Sequence, residues 1–348
     1  MSRIDVVIPC YNYAHYLREC VHSVLSQEGV NVRVLIIDDC SQDDSAAVGA
    51  GLAAQDSRVE FRRHEVNRGH IATYNEGLLQ WAIGEYLVLL SADDMLTTGA
   101  LPRAAEVLDA YPQVGMVYGR AIATEDPTRE FTRCVEGSRG RRIMEGSEFI
   151  RLTCEAGGTI VPTPAVVVRG SVQRRIGGYR ADLPHSGDLE MWLRIAANSH
   201  VCALDADQAI YRVHTGNMHR TYIGVPDALA TQLAFNALFD SWNSGSPVVD
   251  RLRATANASL ARRTFWVANK LFEEGRTDEV AECLRFVIGL DPRFRKSLAW
   301  TKMRIKQLMG RRNWARLREA VRGARRSLRV RPPCPAPPMQ NDVHLGIS

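Results

Sequence analysis

The chain begins with short runs that are apolar at every position, each broken off by a turn or by acids. Residues 5–9 centre on Val6, Val7 and Ile8 and end at Pro9-Cys10-Tyr11-Asn12-Tyr13. Residues 32–37 end at Asp38 and Asp39, and the run from Tyr86 to Leu90 stops at Ser91, Ala92, Asp93 and Asp94. Runs this short and this uniformly apolar predict strands buried on both faces of a parallel sheet. Segments with helical spacing separate them. Leu17, Cys20, Val21, Val24 and Leu25 form one stripe across 16–27, as an amphipathic helix requires. Further helices are predicted over 45–55, from the Asn67-Arg68-Gly69 turn to Trp81, and over 100–111, with strands at 59–63 and 114–118. This alternation predicts an α/β fold with a mostly parallel, Rossmann-like sheet.

The rhythm then loosens. Residues 119–160 are polar and carry Arg120, Arg129, Arg133, Arg139, Arg141 and Arg142, which predicts a long excursion suited to acceptor recognition. A strand at 166–168, a turn at Gly177-Gly178-Tyr179, an amphipathic helix opening at Asp188 and a strand at 209–213 follow, the last running into His214 and His219. From about residue 225 the pattern is helical throughout: 227–239, 248–275 and 277–289, the last two resembling one tetratricopeptide-like hairpin. The expected organisation is a catalytic domain over 1–224, a helical hairpin region over 225–292, a basic amphipathic arm over 293–331 and a disordered Pro-rich tail over 332–348.

Charge sharpens this division. The whole chain carries +5, yet 293–331 holds 15 Lys and Arg against Glu319 alone, so the rest stands at −9. Trp300, Leu308, Trp314 and Leu317 are interleaved with those arginines, a pattern that suits an anionic membrane surface. The other reading is a solvated helical face packed on the catalytic domain. No nucleic-acid-binding motif accompanies the arm and the body is acidic, so no nucleic-acid partner is expected. Eight scattered cysteines without a Cys-x-x-Cys pair suggest reduced thiols and a cytoplasmic setting. No apolar run is long enough for a bilayer and the first residues do not read as a signal peptide. The protein is therefore expected in the cytoplasm, with the arm peripheral on the inner face of the plasma membrane.

The chemistry lies where the strands stop. Two strands ending in Asp-Asp place carboxylates at the carboxyl edge of the sheet, where open α/β sheets bind ligands. Each pair alone is equally an N-cap. Together they concentrate negative charge, which asks for a cation or for donors on a ligand. Asn67-x-Gly69 opening a helix predicts a phosphate seat of free backbone N–H groups. The absence of Gly-x-Gly-x-x-Gly and of Gly-Lys-Ser/Thr excludes a classical dinucleotide fold and a P-loop. It also leaves no triphosphate loop for a nucleotidyltransferase. Asp188 is a helix N-cap if it is only structural.

Five ordered segments form a larger pattern: 4–12, 34–43, Asn67-x-Gly69 with Asn75-x-Gly77, 84–94 and 187–194. In order and spacing they resemble family-two glycosyltransferases over residues 1–220. The resemblance implies the GT-A fold and inverting transfer of a sugar, of the hexosyltransferase type, from a nucleotide-diphosphate sugar. UDP is the carrier most used in the family, with GDP and dTDP open, and the acceptor is a glycan or lipid-linked. The resemblance places Pro9, Tyr11 and Asn12 at the base side and Asp38 and Asp39 on the base edge and ribose. Asn67, Gly69 and Asn75 line the ribose and diphosphate. It assigns Asp93 to a Mg²⁺ or Mn²⁺ ion, with His214 as a late ligand, sets Ala92 and Asp94 beside the sugar and makes Asp188 the general base. Ser91 stands where the family has the first aspartate of Asp-x-Asp, Gly187 stands where a glutamate is usual, and no processive motif is present, which implies single additions. The alternative is a basic nucleic-acid- or membrane-binding protein with a degenerate nucleotide site.

Overall fold

The computed structural model describes residues 1–126, 140–217, 222–242 and 246–329. Residues 129, 133, 139 and 219 and the Pro-rich tail, all named above, lie outside this set. The centre is one nine-stranded sheet in the order β3-β2-β1-β4-β8-β6-β9-β5, with β7 also on β9. Its first half is built from the apolar runs: β1 (Arg3–Cys10), β2 (Asn31–Asp38), β3 (Val59–Arg63) and β4 (Tyr86–Leu89), paired in parallel. Val6 and Ile8 point into one core and Val7 into the other, so both faces of β1 are covered. Helices Ala14–Leu25 and Ala100–Ala110 pack on one face, with Leu17, Cys20, Val21 and Val24 forming the expected stripe.

The crossover into β4 departs from a plain helix. Helix His70–Asn75 runs into a π turn, Glu76–Trp81. A Cβ on Gly77 would lie 2.3 Å from a methyl of Val7, so only glycine allows this turn to sit on β1.

The second half of the sheet is mixed. β8 (Val166–Arg169) is antiparallel to β4 and to β6 (Val114–Thr124), while β6 is parallel to β9 (His200–Arg212). β5 (Met95–Leu96) and β7 (Arg141–Met144) run antiparallel to β9. The polar excursion is therefore shorter than the sequence suggests. β6 continues to Thr124, and β7 and helix Gly146–Ala156 occupy its far side. Arg120 pairs with Asp205 and Asp207 on β9, Arg142 with Glu148, and Arg141 lies over the Tyr111 ring. These arginines hold the sheet edge together, which is why the segment is polar and still structured.

The core does not stop at residue 224. Ala234, Phe235, Leu238, Phe239, Val249 and Ala256 belong to the same apolar cluster as β-strand and helix residues of the catalytic body. A separate cluster begins at Ala261 and joins helices Pro247–Glu274 and Thr277–Leu290 to Met303 of the last helix. Among the described residues no helix is long and apolar enough to cross a membrane.

One buried ion pair sets the start of the sheet. Asp5 is wholly buried, and its carboxylate accepts from Arg33 at 2.7 and 3.0 Å and from the backbone N–H groups of Ile83 and Gly84 at 2.8 and 2.7 Å. It ties β1 and β2 to the turn that launches β4. Asp5→Ala leaves those donors unpaired and is expected to destabilise the fold by roughly 3 kcal/mol, measured by urea denaturation. A loss below about 1 kcal/mol would show that the turn holds without it.

Candidate active site

The carboxyl ends of β1, β2 and β4 open into a cleft of about 880 Å³. Pro9, Tyr11, Asp39, Asn67, Gly69, Asp93, Asp94 and Asp188 all line it, as does Ser91. Segments far apart in sequence thus converge as the five motifs imply. The remaining expected residues stand behind the wall, and each has a structural task. Asn12 adopts φ 60°, accepts from Gln42 N–H and donates its own N–H to Ser41. Asp38 is wholly buried, accepts from Ser41 N–H, and keeps one oxygen without a hydrogen-bond donor. Arg63 Nε lies 3.2 Å from that oxygen but is not aligned to donate, so the contact is an ion pair only. The amide of Asn75 closes a two-way bridge with the backbone of Tyr179 at 2.7 and 2.8 Å. Ala92 is fully buried between Ser91 and Asp93.

Asp39 organises the nucleotide side. One oxygen accepts from His64 Nδ1 at 2.7 Å and Arg68 N–H at 2.8 Å, and the other from Gly69 N–H at 2.8 Å. The Gly69 N–H is therefore not free for phosphate; it is shared between Asp39 and Asn67. The second Asp39 oxygen keeps one acceptor position for a ligand N–H or hydroxyl. His64 is held from behind by Glu76 at 3.1 Å, and Arg68 pairs with the same carboxylate. Neither His64 nor Glu76 stands out in the sequence, because each lies in an ordinary polar stretch.

The second acid pair is nearly dry: Asp93 is 6% exposed and Asp94 3%. Burial, and then the neighbouring Asp93 charge, push the Asp94 pKa well above the usual carboxylate range. Arg212 N–H donates to Asp94 at 3.1 Å and the Arg212 charge offsets part of the rise. Asp93 Oδ2 receives His214 Nε2 at 3.0 Å. The other ring nitrogen of His214 accepts from Gly216 N–H, which places the ring proton on Nε2. Asn217 steadies the loop, accepting from His214 N–H at 2.6 Å and donating to Arg212 O at 3.1 Å. Tyr13 hydrogen bonds to Asp93, and burial with the two nearby acids raises its own pKa.

Among the described residues no group of three or more His, Cys, Asp or Glu is arranged around a common metal position. Asp93 and His214 are the two groups of this corner that would hold a divalent ion, if one binds with phosphate and water as its other ligands. The 3.0 Å between Asp93 Oδ2 and His214 Nε2 is a hydrogen bond, and Nε2 would have to give up its proton before it could serve as a ligand.

Asp188 sits across the cleft at the start of helix Gly187–Ala196. Its side chain does not cap the helix. Oδ2 accepts from Thr163 Oγ1 at 2.8 Å, and Tyr179 adds a second hydrogen bond. It keeps partial access through the cleft while protein packs closely around it. That burial raises its pKa, with Thr163, Tyr179, His70 and His185 each lowering it in part. Tyr74 and Tyr179 meet edge to face at 5.4 Å, and burial raises both hydroxyls, so they remain donors beside the carboxylate. Thr163, Tyr74 and Tyr179 are lone hydroxyls with no local signal in the sequence. His185 passes the contact outward: its Nε2 lies 3.0 Å from Asp227, which also pairs with Arg263.

A sheet-edge cleft with an acid pair at one wall and a desolvated carboxylate at another, on this mixed sheet, is the architecture of a GT-A glycosyltransferase. The comparisons agree. Residues 5–168 match the model described as glycosyl transferase family 2. The uncharacterized glycosyltransferase alr2836 of Nostoc sp. is 34% identical over 227 residues, covering 62% of this chain and 66% of its own length. The structure of S. aureus TarS 1-349 in complex with UDP-GlcNAc superposes with a TM-score of 0.60 at 16% identity, covering 83% of this chain and 81% of that one. The mannosyltransferase PcManGT from Pyrobaculum calidifontis, in complex with GDP-Man and Mn²⁺, gives 0.55 at 18% identity, covering 88% and 80%. The chain belongs to glycosyl transferase family 2 and is a glycosyltransferase. The alternative of a degenerate site finds no support, since Ser91 lines an open cleft beside Asp93 and Asp94.

Because burial raises the Asp188 pKa, the folded state favours its neutral form. The stability it contributes is complete below the ordinary carboxylate range and is lost as pH rises through the raised value. Asp188→Asn keeps a neutral group at every pH. Its Tm is expected to equal the wild-type value in acid and to exceed it at neutral pH in thermal scans. A variant less stable at neutral pH would remove the desolvation argument.

Proposed function

We propose that the protein moves a sugar, with inversion at the anomeric carbon, from a nucleotide-diphosphate sugar to an acceptor hydroxyl. The product is a polysaccharide, glycolipid or other envelope glycan, added one residue at a time. The observation that carries this reading is Asp188, a desolvated carboxylate held by Thr163 and facing the same cleft as Asp39, Asp93 and Asp94.

Each wall has a task. Tyr11, 46% exposed beside Pro9, offers a ring on which a base can stack, while Asp39 accepts from the base edge or a ribose hydroxyl. Asn12 and Asp38 keep that loop in shape from behind. Asn67 and Gly69 border the diphosphate, and Asn75 fixes Tyr179 against Asp188. Asp94, with Ala92 setting its position, meets the sugar. Asp188 takes the proton from the acceptor hydroxyl as its oxygen attacks the anomeric carbon, and a raised pKa brings a carboxylate closer to the strength such a base needs. Asp93 would hold Mg²⁺ or Mn²⁺, joined by His214 once its Nε2 is deprotonated. When bound, the ion offsets charge on the departing diphosphate. UDP is the first carrier to test, with GDP and dTDP next; the UDP-GlcNAc and GDP-Man complexes of the two structural neighbours support a donor of this class. The six described cysteines are all free, which suits a cytoplasmic enzyme, and a lipid-linked acceptor on the inner membrane face fits the basic arm.

Calorimetric titration of UDP, GDP and dTDP, with and without Mn²⁺, is expected to show one carrier bound tightly and only with metal. Binding of none would refute the donor site. Asp188→Asn is expected to keep that binding and to lose transfer by roughly 10²–10⁴-fold. In the wild type the rate should fall as pH drops through the raised Asp188 value, so the acidic limb lies above that of an ordinary carboxylate. An unchanged turnover in the variant would sink the assignment.

The metal reading has its own readout. Ligands must be deprotonated to bind, and Asp94 beside them holds its proton to higher pH than usual. Mn²⁺ affinity, followed by electron paramagnetic resonance of the free ion, should therefore rise with pH, and Asp93→Ala should abolish it. Equal affinity in that variant would move the ion elsewhere.

A further inference from the structure

The last described helix, Leu298–Arg329, has two distinct apolar faces. The inner one is docked. Met303 is 1% and Lys306 6% exposed, and Trp300 and Trp314 pack against the hairpin cluster. Lys306 donates to Asn269 at 2.7 Å and lies 5.8 Å from the Phe272 ring and 5.3 Å from the Trp314 ring. Arg318 adds an ion pair to Glu273. The two tryptophans that the sequence offers to a membrane thus face the protein.

The outer face is different. With 3.6 residues per turn, Leu298, Ile305 and Leu308 fall on the side away from Met303, and Leu308 also lies away from Lys306. Leu298 is 89%, Leu308 84% and Ile305 46% exposed. Arg304 flanks this stripe on one side, Lys302 on the other side reaches back toward the Trp314 ring at 5.8 Å, and Arg312 follows the break at Gly310, where φ is 73°. From Arg293 to Ala320 there are ten Lys and Arg and a single acid, Glu319. An apolar stripe bordered by cations on a helix whose other face is already fastened is the form of an interfacial membrane helix. The charge selects the partner, because anionic headgroups complement it and a neutral protein surface does not.

We propose that this outer face lies on an anionic phospholipid surface, with Leu298, Ile305 and Leu308 entering the headgroup–acyl boundary and Arg304 and Arg312 meeting lipid phosphates. The lipid-linked acceptor of the proposed function would be encountered there. In that respect the inference rests on the transfer reading, but vesicle binding is measured without donor or acceptor, so either can fail alone.

The test is co-sedimentation of the full chain with vesicles of phosphatidylglycerol mixed with phosphatidylcholine, against phosphatidylcholine alone. Two variants leave the docked face untouched: Leu298→Gln with Leu308→Gln, and Arg304→Glu with Arg312→Glu. Circular dichroism and nucleotide binding confirm that each folds. The wild type should pellet with the anionic vesicles and less so in high salt. The leucine variant should lose about tenfold in partitioning, and the charge variant, which changes four charges, on the order of a thousandfold. Equal pelleting with neutral vesicles, or wild-type binding by the leucine variant, overturns the proposal. So does conversion of a dimer to a monomer by the leucine variant with vesicle binding unchanged, which assigns the stripe to a second copy.

Discussion

Carboxylates crowded into a nearly dry cleft are the constraint on which the site depends. Asp93 and Asp94 are adjacent and almost inaccessible, and like charges so placed cannot both remain ionised without compensation. The protein answers in three ways. Asp94 holds its proton to higher pH, the Arg212 guanidinium and N–H lean on it, and His214 donates to Asp93. The turn after β4 and the loop after β9 bring these groups together. Asp39 and Asp188 handle the same problem differently. Asp39 accepts from two backbone N–H groups and an imidazole and keeps one position open, whereas Asp188 is left under-solvated with two hydroxyls for support. One carboxylate is thus satisfied mainly by the protein, and the other stands desolvated at the cleft.

Much of the first half of the fold was legible because its strands are apolar throughout and end abruptly at polar residues. Helix Ser45–Gln55 and strand Val59–Arg63 fall where the pattern puts them. The second half was less legible for a physical reason. β9 contains Asp205, Asp207 and Gln208 within its thirteen residues, so only its apolar end reads as a strand. In the structure Arg120 pairs with the two acids, and Gln208 donates to Ala100 O and accepts from Arg103. Polar groups paired across elements look like loop until their partners are known. Register shifts between β6 and β9 near Tyr118 blur the period further.

The site shows the same division. Acidic motifs at strand ends announced themselves, and they do line the cleft. Asn75 and Asp38 carry the same kind of signal, yet they serve the scaffold, because proximity in sequence to a ligand loop does not say which way a side chain turns. Thr163 and Tyr179 are the converse. Each is an unremarkable hydroxyl that gains meaning only when folding brings it to Asp188.

The unbroken core across residue 224 bears on how such a protein can change over time. Phe235, Phe239 and Ala256 are packed among residues of the catalytic body, and Asp227 reaches His185, three positions before Asp188. A helical module joined at residue 224 could not be exchanged for another without tearing the interior that supports Asp188. The natural seam lies later, near residue 260, where one apolar cluster ends and the next begins. Recombination that respected this seam would leave the transfer machinery whole and replace only the outer hairpin and its basic helix. The chemistry and the address would then be free to evolve separately.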